Sequence, residues 1–127
     1  MEFVKIINED ACHYGYTFRD GLNVDVDEGF HFTTRSLIAK YVDIGSYVCE
    51  VVIPDGTQIT KTTSEGEWRA PSIMLDLKNK IKIEDYQWTL KDLKVNPGLF
   101  KRIPFEKRSE IMCKRMEYYI RWGMHIY

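Results

Sequence analysis

Three cysteines and three histidines are the residues of this 127-residue chain best suited to metal or nucleophile chemistry. Thiolate and imidazole are the ligands of a tetrahedral zinc site, so Cys12, His13, His31 and Cys49 form the natural candidate set. No two of them stand at the compact spacing such sites use, and no CxxC pair occurs. Buried thiols and structural histidines are the commoner use of these residues, and no metal is expected. A Cys–His nucleophile pair fares no better. Adjacent in the chain, Cys12 and His13 do not naturally face each other.

A second constellation lies near the C-terminus. Pro104 suits the first turn of a helix, and Phe105 to Trp122 contains no glycine or proline. At 100° per residue, Phe105, Met112, Cys113, Met116, Tyr119 and Ile120 share an arc suited to burial. Lys107, Lys114 and Arg121 fall opposite, and between them runs a ridge of Ile111, Tyr118 and Trp122 flanked by Arg108 and Arg115. Guanidinium groups pair with carboxylate or phosphate while rings stack, so this ridge fits a protein surface or nucleic acid. The plainer alternatives are a helix packed on two sides or a homodimer contact. A protein partner ranks ahead of nucleic acid.

The remaining elements must position these residues. The apolar fraction of 44% supports a packed core, and the length favours one domain, with a sheet-based part at 1–95 and a helical segment at 96–127. Net charge is −1, but residues 1–64 carry 10 acidic and 5 basic side chains, whereas 65–127 carry 9 and 13. That asymmetry suits a solvated face or an anionic partner of the second half. No run approaches the ~20 apolar residues of a membrane span. MEFVKIINED lacks a signal-peptide plan, and the odd cysteine count suits a reducing compartment.

The organising stretch is Gly29 to Ile53. Gly29-Phe30-His31-Phe32 reads as a buried strand. Thr33 or Thr34 is expected to cap a helix with Leu37, Ile38 and Tyr41 on its apolar face, ended by Gly45 in a left-handed conformation. Ser46 to Ile53 is the strongest strand, and Gln58 to Thr63 is expected to pair with it across Pro54-Asp55-Gly56. Phe3 to Ile7 is a first strand, and Cys12 to Asn23 an ordered loop. Trp68 to Leu77 alternates as a strand interrupted at Pro71, Lys80 to Ile83 is a short strand, and Glu84-Asp85 opens a helix through Leu93 stopped by Asn96-Pro97-Gly98.

The order KIINEDACHYGYTFRDGLNVD (Lys5–Asp25), GFHFTT (Gly29–Thr34), YVCEVVIP (Tyr47–Pro54) and WRAPSIML (Trp68–Leu75) resembles a family. It is similar to the N-terminal module that precedes ankyrin repeats in proteins of giant DNA viruses of the mimivirus type, over residues 3–77. The chain departs from that pattern in carrying no ankyrin repeats after Asn96, so repeat-mediated recruitment is not implied. A more distant similarity is to ADP-ribosyltransferases. There a histidine phrase and later aromatic rings hold the nicotinamide of NAD, which implies roles for His13, His31 and Tyr41, with His31 standing where that family places tyrosine. No glutamate is placed as that family requires, since Glu50 lies on the core strand rather than a late one, and the chain is short for that fold, so lost activity is the expectation.

The fold expected is α+β: a small, mostly antiparallel sheet with one short internal helix and a longer C-terminal helix packed on it. The function expected is a non-enzymatic accessory or virion-associated interaction module in host cytoplasm or virion. It would use Lys107, Arg108, Ile111, Lys114, Arg115, Tyr118, Arg121 and Trp122 to meet a host or viral protein or its own copy. The alternatives are a degenerate NAD-dependent transferase and a nucleic-acid binder.

Overall fold

The computed structural model describes residues 2–13, 15–62 and 66–111. Strand β1 (Phe3–Ile7) lies at its centre. Its sequence, FVKII, sends Val4 and Ile6 to one face of the sheet and Phe3, Lys5 and Ile7 to the other. β1 runs antiparallel to β6 (Tyr47–Val52) through five pairs, from Phe3↔Val51 to Ile7↔Tyr47. Its other neighbour is β5 (Phe30–Thr34), which it meets in two pairs, Phe3↔Thr34 and Val4↔Thr33. The remaining strands are β2 (Cys12–His13), β3 (Tyr16–Thr17), β4 (Gly21–Val24), β7 (Thr60–Lys61), β8 (Glu67–Ala70), β9 (Ser72–Leu75) and β10 (Ile81–Lys82). The main sheet is antiparallel in order β4-β9-β6-β1-β5-β8-β7, with β10 also on β6, while β2 and β3 pair separately. The α+β class expected from the sequence is the one observed.

One residue separates β8 from β9, yet they join opposite flanks of β1. β8 pairs with β5 and β9 with β6. Residues 67–75 therefore act as one bent strand that ties the two flanks together and curls the sheet. The bend falls at Pro71, which has no N–H to give a ladder; its carbonyl instead accepts from Asp25 N at 2.8 Å. Inside the curl lie Ile7, Phe18, Phe30, Phe32, Cys49, Val51, Ile73 and Leu75. Gly29 has φ +73°, and a Cβ there would stand 3.0 Å from the Ala70 carbonyl oxygen, so no side chain fits where this strand crosses the bend.

The other face is covered by helical segments. Val4, Ile6 and Val48 pack with Ile38, Ala39, Val42, Ile83, Trp88, Leu99 and Ile103. These come from 3-10 helices Ile38–Ile44, Ile83–Asp85 and Pro97–Arg102 and from the segments between; a further 3-10 turn spans Leu77–Asn79. Helix α1 (Leu90–Val95) starts in a reciprocal capping box between Thr89 and Asp92. Asp92, 2% exposed, also takes both ends of the Arg35 guanidinium at 3.0 and 3.1 Å. That bidentate pair clamps α1 to the loop after β5.

Several expected elements differ. Gln58 to Thr63 does not form a hairpin with β6: Thr60 and Lys61 pair with Arg69 and Trp68. β6 has no free side, because β1 fills one edge and β9 and β10 share the other. The helix after Thr34 is a 3-10 helix that starts at Ile38 without a side-chain cap, since the Thr33 hydroxyl donates to the Gly66 carbonyl instead. Gly45 is not left-handed but extended, at φ −168°. Its reason is contact: a Cβ would stand 2.7 Å from Ile6 Cγ2 and from the Ile7 carbonyl oxygen. The helix expected from Glu84 to Leu93 is two pieces, because Trp88 Nε1 turns back to donate to the Ile83 carbonyl at 2.7 Å and its ring stacks on Tyr86. Residues 105–111 are helical, and the rest of the expected C-terminal helix, to Trp122, lies outside the described residues. Within that turn Phe105 is 79% exposed and Ile111 is buried, the reverse of the arc read from the sequence.

Candidate functional site

Between β1 and β5 the sheet opens. No pair follows Val4↔Thr33 among the described residues. Continued, the register would set His31 against Ile6. Instead the His31 carbonyl accepts from the Lys5 ammonium. A cleft of about 560 Å³ occupies the opening, within the range of small-molecule sites. Because the gap passes through the sheet, residues of both faces reach it: Ile38, Tyr41 and Ile44 from the helical side, Tyr16, Phe18 and Phe30 from the inside of the curl.

Local structure explains the aromatic wall. Asn23 is 1% exposed and fully bonded: its Oδ1 accepts from Arg19 N at 3.0 Å and Tyr16 OH at 3.2 Å, and its Nδ2 donates to the carbonyls of Arg19 and Gly21. This one amide folds the segment before β4 onto itself and holds Tyr16 over the cleft. There Tyr16, Phe18 and Phe30 meet at centroid distances of 5.0 to 5.7 Å, in the tilted and edge-on arrangements that ring quadrupoles favour.

Lys5 is the centre of the site. It is 8% exposed, its Nζ lies 5.3 Å from the Phe18 ring centroid, and it makes no ion pair among the described residues. Burial lowers its pKa to about 8, with the more distant charge of Glu67 opposing the shift. His13 lines the same cleft, and its pKa is lowered by burial and by the charges of Lys5 and His31. At neutral pH its imidazole is uncharged. At the rim, His31 Nδ1 bonds Glu67 Oε1, a diagonal contact across the β5–β8 ladder. Asp25 and Glu28 add carboxylates to the lining.

The structure brings His13, His31 and Tyr41 to one cleft. It does not assemble the thiol–imidazole set: the Cys49 thiol is buried inside the curl, directed at the Glu50 carbonyl at 3.6 Å and pushed up to about 11 by burial. Of the basic-aromatic ridge, Lys107 reaches the Glu84 carbonyl and Asp85, and Arg108 donates to the carbonyls of Ile103 and Lys101 over the Phe100 ring. Ile111 is part of the core rather than of an exposed ridge. Lys114, Arg115, Tyr118, Arg121 and Trp122 lie outside the described residues.

Sequence reasoning passed over Lys5, Tyr16 and Glu67. Lys5 left a signal: in FVKII it shares its strand face with Phe3 and Ile7, both large and apolar, so a lysine there is committed to burial. Glu67 left none, because its place depends on β8 pairing with β5.

One comparison with known proteins gives a relative. The chain is 28% identical over 96 residues to a protein of Acanthamoeba polyphaga mimivirus named for ankyrin repeats, covering 63% of this chain and 47% of that protein. It therefore spans about half the length of that relative. No protein-family model and no solved structure matches. The similarity links this chain to a giant-virus protein with an ankyrin-repeat name. Among the described residues no helix is long and apolar enough to cross a membrane.

Proposed function

We propose that this chain is a protein-interaction module of a giant virus, an accessory or virion-associated protein that works by contact and not by catalysis. The observation that carries the reading is an uncovered flank of the sheet. Leu22 pairs with Met74, and Met74 pairs with Val52, so the three side chains stand in one row across β4, β9 and β6. Leu22 is 51%, Met74 42% and Val52 51% exposed, and Val24, two residues along β4, is 50% exposed. The row lies on the face where helical segments cover Val4, Ile6 and Val48, but it continues past that cover to β4, the edge strand of the sheet. A contiguous apolar patch beside an unpaired edge is a surface that proteins use to meet proteins. The mimivirus similarity, through the ankyrin-repeat name of the relative, points the same way.

The test is photo-crosslinking in infected amoebae, with benzoylphenylalanine placed at Met74 or, as control, at the exposed Lys91. A discrete protein adduct from position 74 and none from 91 supports the module. Equal or absent crosslinking from both removes it. A band at twice the chain mass identifies the partner as a second copy.

A second reading, an NAD-binding transferase-like protein, is favoured by one fact: His13, His31 and Tyr41 line the same cleft. Calorimetric titration of NAD into the protein tests it. Heat that His13→Ala abolishes supports the reading, and no heat at millimolar NAD ends it.

A further inference from the structure

We propose that Lys5 is a carbonyl-reactive amine, and that the cleft binds an uncharged aldehyde or ketone as an imine on its Nζ. This inference is independent of the apolar row on β4, β9 and β6.

A surface lysine is held in its ammonium form by water or by a carboxylate partner. Lys5 is buried, and among the described residues it makes no ion pair: there its hydrogen-bond partner is the neutral His31 carbonyl, and the Phe18 ring lies beside it. Desolvation without an ion pair is the environment that makes lysine a nucleophile. At a pKa of about 8 instead of 10.5, the neutral fraction at pH 7 is ~300-fold larger than for a surface lysine. Weaker basicity lowers intrinsic nucleophilicity by about an order of magnitude if amines follow thiol behaviour, leaving a net gain of roughly tenfold or more.

Geometry supplies the rest. The amine faces a cleft of about 560 Å³ with an aromatic wall of Tyr16, Phe18 and Phe30 suited to an apolar ligand body. The carboxylates of Asp25, Glu28 and Glu67 on the same lining oppose an anionic ligand. In the reaction the Nζ lone pair attacks the carbonyl carbon and a C–N bond forms. The C=O pair moves to oxygen, which takes a proton, and the amine nitrogen loses one. The carbinolamine then loses water to give the imine. Amine and carbonyl compound give imine and water, with no oxidant or reductant. His13, uncharged and on the same lining, is placed to carry the protons.

The test is reductive trapping on the full chain: benzaldehyde with cyanoborohydride at pH 7, followed by peptide mapping with fragment spectra that separate Lys5 from the α-amine of Met1. The expected result is benzylation of Lys5 at least tenfold faster than of the exposed Lys82 or Lys91. In Lys5→Met the fast phase should vanish while the slow surface phase remains. The preference of the wild-type chain should also disappear in denaturing urea. Labelling of Lys5 no faster than of Lys82 in the native protein overturns the proposal, as does a preference that persists in urea. The wild-type map is decisive even if the variant does not fold.

Discussion

Replacing Lys5 with methionine is expected to flatten the pH dependence of stability at the alkaline end. The side chain keeps an apolar stem one atom shorter and loses its charge. Burial lowers the amine pKa from 10.5 to about 8. Between those two pH values the unfolded chain binds a proton that the folded chain has released, so wild-type stability rises with pH across that window. Below about pH 8 the cost of burying the ammonium is present in full, and it is relieved by pH 10.5. The full change is worth about 3 kcal/mol. In Lys5→Met the cost is absent at every pH. The variant loses the donor to the His31 carbonyl, worth about 1–3 kcal/mol for a buried acceptor left unpaired. At pH 7 it should therefore be roughly equal to wild type or up to about 2 kcal/mol more stable. As pH rises from 7 to 10.5 its advantage should shrink by about 3 kcal/mol. Other groups near the amine titrate too. Cys49, pushed up to about 11 by burial, costs stability above pH 9 in both proteins and largely cancels in the difference. Urea unfolding followed by tryptophan fluorescence at pH 7, 8, 9 and 10 gives that difference directly. Two curves that stay parallel from pH 7 to 10 would refute the claim that Lys5 is buried without an ion pair.

Three further substitutions test the packing around β1 and α1. Gly45→Ala should destabilise the fold by about 2–3 kcal/mol through overpacking alone, since its backbone is ordinary extended chain and the added Cβ would meet Ile6 and Ile7 at 2.7 Å; a loss under about 0.5 kcal/mol in urea melts would mean that β1 can shift to admit it. Asp92→Ala should cost about 3–5 kcal/mol, because it leaves the Arg35 guanidinium without its bidentate carboxylate, while Thr89→Ala, which removes only the cap, should cost about 1 kcal/mol. Equal losses for the pair would show that the clamp adds nothing to the cap.

Local sequence carried much of the architecture. The apolar run Phe3 to Ile7 and the β-branched run Tyr47 to Val52 are strands at the places read from them. The break at Pro71 is where the sequence puts it, since a residue without an N–H cannot sit inside a ladder. Failures came where a choice depended on partners distant in sequence. Pro54-Asp55-Gly56 makes its turn, with Thr57 N donating to the Pro54 carbonyl at 3.0 Å, but turn chemistry could not reveal that both edges of β6 were already taken. Thr33 and Thr34 had the residue type of a helix cap, and Thr33 spent its hydroxyl on Gly66, 33 residues away.

The site divides the same way. The sequence by itself determined the chemical inventory: three histidines, three cysteines, and a lysine set between large apolar residues on one strand face, a signal visible in FVKII though first recognised in the fold. The α+β class followed from strand periodicity interrupted by short helical segments. Only the tertiary structure decided that β1 and β5 part after two residue pairs, and that parting is what makes a cleft and gives the Lys5 amine a backbone carbonyl instead of a carboxylate. The reason is that residue type and periodicity are properties of neighbours in the chain. The dielectric around an amine, its hydrogen-bond partner and the gap beside it are set by β1, β5 and β8, strands that meet only when the sheet curls around Pro71.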